Sequence, residues 1–289
     1  MKLVIYNLLL WFYVSLVLIL SGCTSPDKDL LVSELRCCDR TDPDGIHSPR
    51  LSWKIKTIQE DVVQKSWEIQ IATSKELLVN ENAEIWKSGV QQSDDQFNVI
   101  PENVNFAEST GYFWRVRITD NKNRVSPWSN PAYFSIGLLD EKSWTAKWLT
   151  YRYAKDNPLP YFRKVFNTDK EGVIPEKATI YFCGLGVGEL YLNGQKVDST
   201  RFLDPAQTNY EQYTLYSTFD VTDQLKQGLN CLGVMLGNGW FSQDEAWQGA
   251  PFSYGSPMFR LQMVVLYSDG SRSVWGSDED WQWKEGPVL

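Results

Sequence analysis

Along much of this chain apolar side chains recur at every second position, and that alternation limits the fold more than any other feature of the sequence. In Tyr112-Phe113-Trp114-Arg115-Val116-Arg117-Ile118-Thr119, Tyr112, Trp114, Val116 and Ile118 share one phase, with Arg115, Arg117 and Thr119 on the other. Successive side chains of a strand point to opposite faces, so the pattern predicts an antiparallel strand with one face buried. Phe259-Arg260-Leu261-Gln262-Met263 repeats it, and Ser268-Asp269-Gly270 predicts a hairpin turn into Ser273-Val274-Trp275. Asn193-Gly194 predicts another, between Tyr191-Leu192 and Gln195-Lys196-Val197. Helical periodicity is scarce. Residues 220–226 form one short candidate, with capping residues in front and Gly228 behind, and residues 74–80 a single-turn second. The predicted class is all-β.

Ahead of the first strand, residues 3–20 form an almost unbroken apolar run behind Lys2, ending in Leu20-Ser21-Gly22-Cys23. The length nearly suffices for a membrane span. A run that stops at small residues, with the polar Thr24-Ser25-Pro26-Asp27 behind it, instead predicts a secretory signal over residues 1–22. Residues 23–29 are then a linker. Residues 30–139 hold short strands separated by Asx, Pro and Gly turns, as in a small β-sandwich. A connector, 140–160, carries Trp144 and Trp148 as anchors, and residues 161–289 read as a second all-β sandwich or jelly roll. Gly286-Pro287-Val288-Leu289 reads as the start of a further segment, which predicts a longer parent protein.

A formal net charge of −8 argues against a nucleic-acid partner, which requires a basic footprint. His47, the single histidine, sits beside Ser48-Pro49 in a turn-like segment, so histidine-based catalysis and zinc binding have no support. Cys37 and Cys38 are adjacent, Cys183 and Cys231 lie in apolar runs that predict buried thiols, and no C-x-x-C pair exists. Thirteen tryptophans serve either core packing or flat ligand-stacking surfaces. Trp53, Trp114 and Trp128 occupy the apolar phase of their strands and are predicted in the first core, with Arg115 and Arg117 on a solvated face. The chain carries no signal for an oligomeric state.

Leu35-Arg36-Cys37, Asp44-Gly45-Ile46, Pro49-Arg50-Leu51-Ser52-Trp53 and Ile85-Trp86-Lys87-Ser88-Gly89-Val90 resemble the opening of bacterial α-L-rhamnosidases of glycoside hydrolase family 78. Tyr112-Phe113-Trp114-Arg115-Val116 and Ser126-Pro127-Trp128-Ser129 are similar to that family's fibronectin type III-like first domain. Tyr161-Phe162-Arg163-Lys164, Gly188-Glu189-Leu190-Tyr191-Leu192-Asn193-Gly194, Tyr216-Ser217-Thr218-Phe219-Asp220-Val221-Thr222 and Leu236-Gly237-Asn238-Gly239-Trp240-Phe241 resemble its N-terminal jelly-roll domain. Where relatives read Pro-Gly-Trp-Thr-Asp-Tyr, this chain has Pro205-Ala206-Gln207-Thr208-Asn209-Tyr210, so that loop brings no tryptophan. Leu20-Ser21-Gly22-Cys23 also resembles a bacterial lipobox, which implies lipidation of Cys23 and anchoring to the cell envelope, at the outer membrane or in the periplasm.

The resemblance implies that hydrolysis of terminal rhamnose, by an inverting pair of carboxylates, belongs to a downstream (α/α)6 barrel whose helix pairs this chain lacks, so no catalytic residue is assigned. It also implies a jelly roll that in some members binds rhamnose with Ca2+. Asn238 between two glycines, with Glu189, offers oxygen ligands for that ion, and Trp240, Trp247 and Tyr254 offer apolar faces for a sugar. Asp244 and Glu245 add oxygen donors in the same loop. The plainer reading stands beside this one: Asn238 as a left-handed turn residue, Trp240 and Phe241 as a plug for the sandwich end, Glu189 as an ion-paired strand residue. Two functions follow from the resemblance, the front part of a lipid-anchored rhamnosidase or a stand-alone carbohydrate-binding or adhesion lipoprotein.

Overall fold

The computed structural model describes residues 28–80, 82–151, 159–201, 205–243 and 252–286. Among them are eighteen strands, one short α-helix and two 3-10 turns, the all-β class that the alternation predicts, and they fall into two compact units. The Cys23 lipidation expectation lies outside the described residues.

The first unit, Met1–Asp42, Pro49–Val104 and Tyr112–Tyr133, contains β1 (Leu31–Cys37), β2 (Leu51–Lys56), β3 (Gln64–Ala72), β4 (Trp86–Lys87), β5 (Gly111–Asp120) and the start of β6 (Ala132–Ser135). β1 pairs with β2, and the other four form one sheet in the order β4-β3-β5-β6. Helix α1 (Lys75–Val79) begins where predicted, with the Ser74 hydroxyl accepting the Leu77 N–H at 3.3 Å. The inward phases of β3 and β5 bury Ile69, Ile71, Trp114, Val116 and Ile118, and Trp53 meets Trp67 edge-on at 5.9 Å. Trp53 also donates to Gln64 at 2.9 Å, which satisfies its indole N–H inside the core.

Trp128 departs from its predicted place. Ser126 and Ser129 accept the N–H groups of Ile118 and Val116 at 3.0 and 3.1 Å, docking this segment along β5. Trp128, between them, projects onto the polar phase of that strand. Its ring lies under both guanidinium groups, 4.5 Å from Arg115 and 4.6 Å from Arg117. Arg115, expected in solvent, is buried and bonded to Gln70, while Arg117 makes a two-point pair with Glu68 at 2.9 and 3.0 Å.

The second unit takes in Pro43–Ser48, Asn105–Gly111 and Phe134–Leu289. Its strands are β7 (Leu149–Thr150), β8 (Pro160–Asn167), β9 (Pro175–Leu185), β10 (Val187–Leu192), β11 (Gln195–Lys196), β12 (Ser217–Asp220), β13 (Leu229–Gly237), β14 (Ser242–Gln243), β15 (Phe252–Ser253), β16 (Met258–Tyr267), β17 (Arg272–Gly276) and β18 (Gln282–Glu285). One sheet runs β11-β10-β13-β8-β18; the other runs β12-β9-β16-β17, with β7 also on β16. Phe162, Phe182, Leu190, Leu232, Val234, Phe259, Leu261 and Met263 fill a single core. Both hairpin turns form as predicted: Asn193 and Gly194 take positive φ, 54° and 82°, and Gly270 does so at 78°. Residues 220–226 do not make the short helix expected of them. Val221 donates to Ala178 and stays in the core, so only the 3-10 turn Thr222–Gln224 follows.

β16 is buried on both faces. Its outward Gln262 accepts from Thr145 and Ala146 N–H at 2.7 and 3.2 Å and donates to Ser143 at 2.9 Å. Arg260, also buried, donates to the Ala146 carbonyl at 2.8 Å and lies over Trp144. Residues 143–146 are thereby fastened across the outer face of this sheet.

Candidate functional site

The motif Gly237-Asn238-Gly239-Trp240 sits where β13 ends. Val187 opposite Gly237 is the last register pair, after which the chain turns back with Ser242 N–H donating to the Asn238 carbonyl at 3.1 Å. Gly239, not Asn238, takes the left-handed conformation, at φ 48°. A Cβ on Gly239 would stand 2.5 Å from the carbonyl carbon and oxygen of Gly186, so the turn requires glycine there for space as well as for torsion. Asn238 is half-buried with its side-chain oxygen shielded from solvent.

Pairing of β14 with β15 then returns the chain to the turn, and Tyr254 N–H donates to Phe241 at 2.9 Å. The Tyr254 ring stacks on Phe241, centroids 5.8 Å apart at 23°, and Tyr210 stands edge-on to both at 5.2 and 5.3 Å. Phe241 is buried against Cys183 and Leu185, which fits the plug reading. Trp240 is not a plug: it is 52% exposed, and Tyr254 is 37% exposed. Partial burial pushes the Tyr210 hydroxyl above its ordinary pKa.

Of the predicted residues, then, Asn238, Trp240 and Tyr254 come to one rim, while Trp247, Asp244 and Glu245 lie outside the described residues. Glu189 is elsewhere. It pairs with Met235, three positions before Asn238, which is about 10 Å along the strand. Its carboxylate accepts from Lys196 at 2.6 Å and Tyr191 at 2.7 Å, and these bonds, Lys196 first, hold its pKa below the usual carboxylate value. Glu189 and Asn238 therefore do not converge on one ion, whose oxygen ligands stand at about 2.3–2.6 Å. Among the described residues no cluster of three His, Cys, Asp or Glu forms a metal site. Tyr210 escaped sequence reasoning because its loop is joined to Phe241 and Tyr254 only by the fold.

Two successive all-β units, the second carrying an aromatic rim where β13 ends, define the class of fold. Residues 32–140 match the Rha78A-like N-terminal immunoglobulin domain, and residues 174–289 match the α-L-rhamnosidase N-terminal domain. The chain carries the two N-terminal domains of the α-L-rhamnosidases, the non-catalytic front part of that family. An α-L-rhamnosidase of Formosa agariphila is 34% identical over 317 residues, covering 98% of this chain and 33% of that protein. The chain spans about a third or less of the length of the curated relatives it matches. The solved α-L-rhamnosidase from Dictyoglumus thermophilum superposes with TM-score 0.78 at 32% identity, over 89% of this chain and 30% of that one. The Streptomyces avermitilis enzyme, solved in complex with L-rhamnose, shares the fold, with TM-score 0.75 at 19% identity over 89% of this chain and 41% of that one.

Proposed function

We propose that this chain is the front part of an exported, lipid-anchored α-L-rhamnosidase, and that its second sandwich holds rhamnose-containing saccharide for a hydrolytic domain outside this sequence. The observation that carries the reading is the rim itself. An exposed indole, Trp240, and a partly exposed phenol, Tyr254, stand at the turn that Asn238 opens, in a domain that matches the rhamnosidase N-terminal model. Flat aromatic faces take the C–H side of a pyranose. The apolar run ending at Leu20-Ser21-Gly22-Cys23 supports export and anchoring through a lipid on Cys23. Since Glu189 is committed to Lys196 and Tyr191, any calcium would draw on donors other than that carboxylate.

Titration calorimetry of the full chain with L-rhamnose, with calcium and again with chelator, tests the rim. Heat that is lost in Asn238→Ala or Tyr254→Ala is the expected result; its absence under both conditions removes saccharide binding from the proposal. The same preparation should release no product from an aryl α-L-rhamnoside. Fatty-acid labelling in a bacterial host, abolished by Cys23→Ser, tests the anchor.

A further inference from the structure

The two sheets of the second unit differ on their outer faces. One is covered by residues 143–146 through Arg260 and Gln262. The other, on β10-β13-β8-β18, carries a groove of about 850 Å³ whose lining includes Tyr161, Arg163, Tyr191, Gly233, Trp283 and Lys284. Register explains its shape. Tyr191, Gly233, Arg163 and Gln282 lie side by side across four strands, and Glu189, Met235, Tyr161 and Lys284 form the adjacent row. Gly233 has no side chain to fill the middle of its row, so the floor drops between Tyr191 and Arg163. Trp283, between Gln282 and Lys284 on the edge strand, is on the opposite phase, paired with Phe162 and with its ring against Tyr151.

The charge of this groove is opposite to that of the chain. Its lining contains Arg163 and Lys284, and the carboxylate in its two rows, Glu189, is already held by Lys196 and Tyr191, in a protein of net charge −8. Gln282 accepts from Arg163 Nε at 3.0 Å, which steadies the guanidinium while both Nη groups remain without a partner among the described residues. Such a fork matches a carboxylate with two parallel hydrogen bonds. Aromatic faces beside it suit pyranose rings, and the volume falls in the range of small-molecule clefts.

We infer that this groove binds an acidic oligosaccharide, with the carboxylate of a uronic acid on Arg163 and neighbouring sugar faces against Tyr161 and Tyr191. The inference does not rest on the rim. It uses the middle of β13, Gly233 and Met235, whereas Asn238 lies beyond that strand's end.

The test is calorimetric titration of the full chain with trigalacturonic acid, with its methyl ester as a neutral control, at low salt and at about 0.5 M salt. Binding of the acid, weakened at least about fivefold by esterification, by salt and by Arg163→Gln, is the expected result. Asn238→Ala should leave that affinity unchanged, just as Arg163→Gln should leave any rhamnose titration unchanged, so the two sites fail separately. No binding of the acid, equal binding of acid and ester, or indifference to Arg163→Gln in a protein with unaltered thermal unfolding would each overturn the inference.

Discussion

Replacing Gly239 by alanine should destabilise the second unit by about 2–4 kcal/mol. The left-handed backbone at φ 48° costs a residue with a Cβ about 1–2 kcal/mol. The new methyl would also meet the Gly186 carbonyl at 2.5 Å and Val187 Cγ2 at 2.6 Å, and backbone atoms cannot yield cheaply, which adds about 1–3 kcal/mol. Loss of unfolded-chain freedom returns about 0.4–1 kcal/mol. Two neighbours calibrate the sum. Gly194 has φ 82° but nothing within 4 Å of its Cβ position, so alanine there should cost about 0.5–1 kcal/mol. Gly237 has ordinary φ and only contacts of 3.6 Å and beyond, so alanine there should be near neutral. Thermal unfolding followed by tryptophan fluorescence reads the series, at about 2–4 °C per kcal/mol for a unit of this size. Gly239→Ala should therefore melt roughly 4–16 °C lower. A melt within 1 °C of the parent would mean that this glycine is not required by packing, and the steric account of the turn would be wrong.

Gln262→Leu should cost about 1–3 kcal/mol, since it strands the buried N–H of Ala146 and removes the acceptor of the Thr145 N–H; amide hydrogen exchange at those two residues should rise with it, and unchanged protection would count against the account. Trp128→Ala removes the ring that both guanidinium groups cover and should destabilise the first unit by about 1–3 kcal/mol in guanidinium titration. Burial pushes the Cys37 thiol up to about 12, so mass spectrometry should find it unalkylated after brief iodoacetamide treatment at pH 8. Bonding to Lys196 and Tyr191 depresses the Glu189 carboxyl in the folded state, so its contribution is present above about pH 4.5 and lost as pH falls through the depressed value; Glu189→Gln should flatten that part of the stability–pH curve.

Strands, hairpins and their inward phases were legible because they are local: alternation reports a face, and Asn193-Gly194 reports a turn, without reference to distant residues. What was not legible depends on partners far along the chain. Arg115 is on the polar phase of β5 and would be solvated but for Gln70 and Trp128, which arrive from other segments. Tyr210 joins the rim only when its loop meets Phe241. The groove requires knowing that β8 lies between β13 and β18, an order no periodicity encodes. At the rim, the glycine–amide–glycine stretch was read as either turn or site. The structure puts the left-handed residue at Gly239 and leaves Trp240 outward, so turn and exposed surface occupy adjacent residues.

The position of β8 has a consequence for synthesis. Its neighbours, Leu229–Gly237 and Gln282–Glu285, are both made later, so Pro160–Asn167 emerges with two unpaired edges and keeps one until Gln282–Glu285 is complete. A nascent strand in that state is a template for pairing with another chain. Arg163, Lys164 and Asn167 punctuate its apolar residues, and such polar and charged side chains oppose edge-to-edge association during the wait. Arg163 thus has work to do before any groove exists around it.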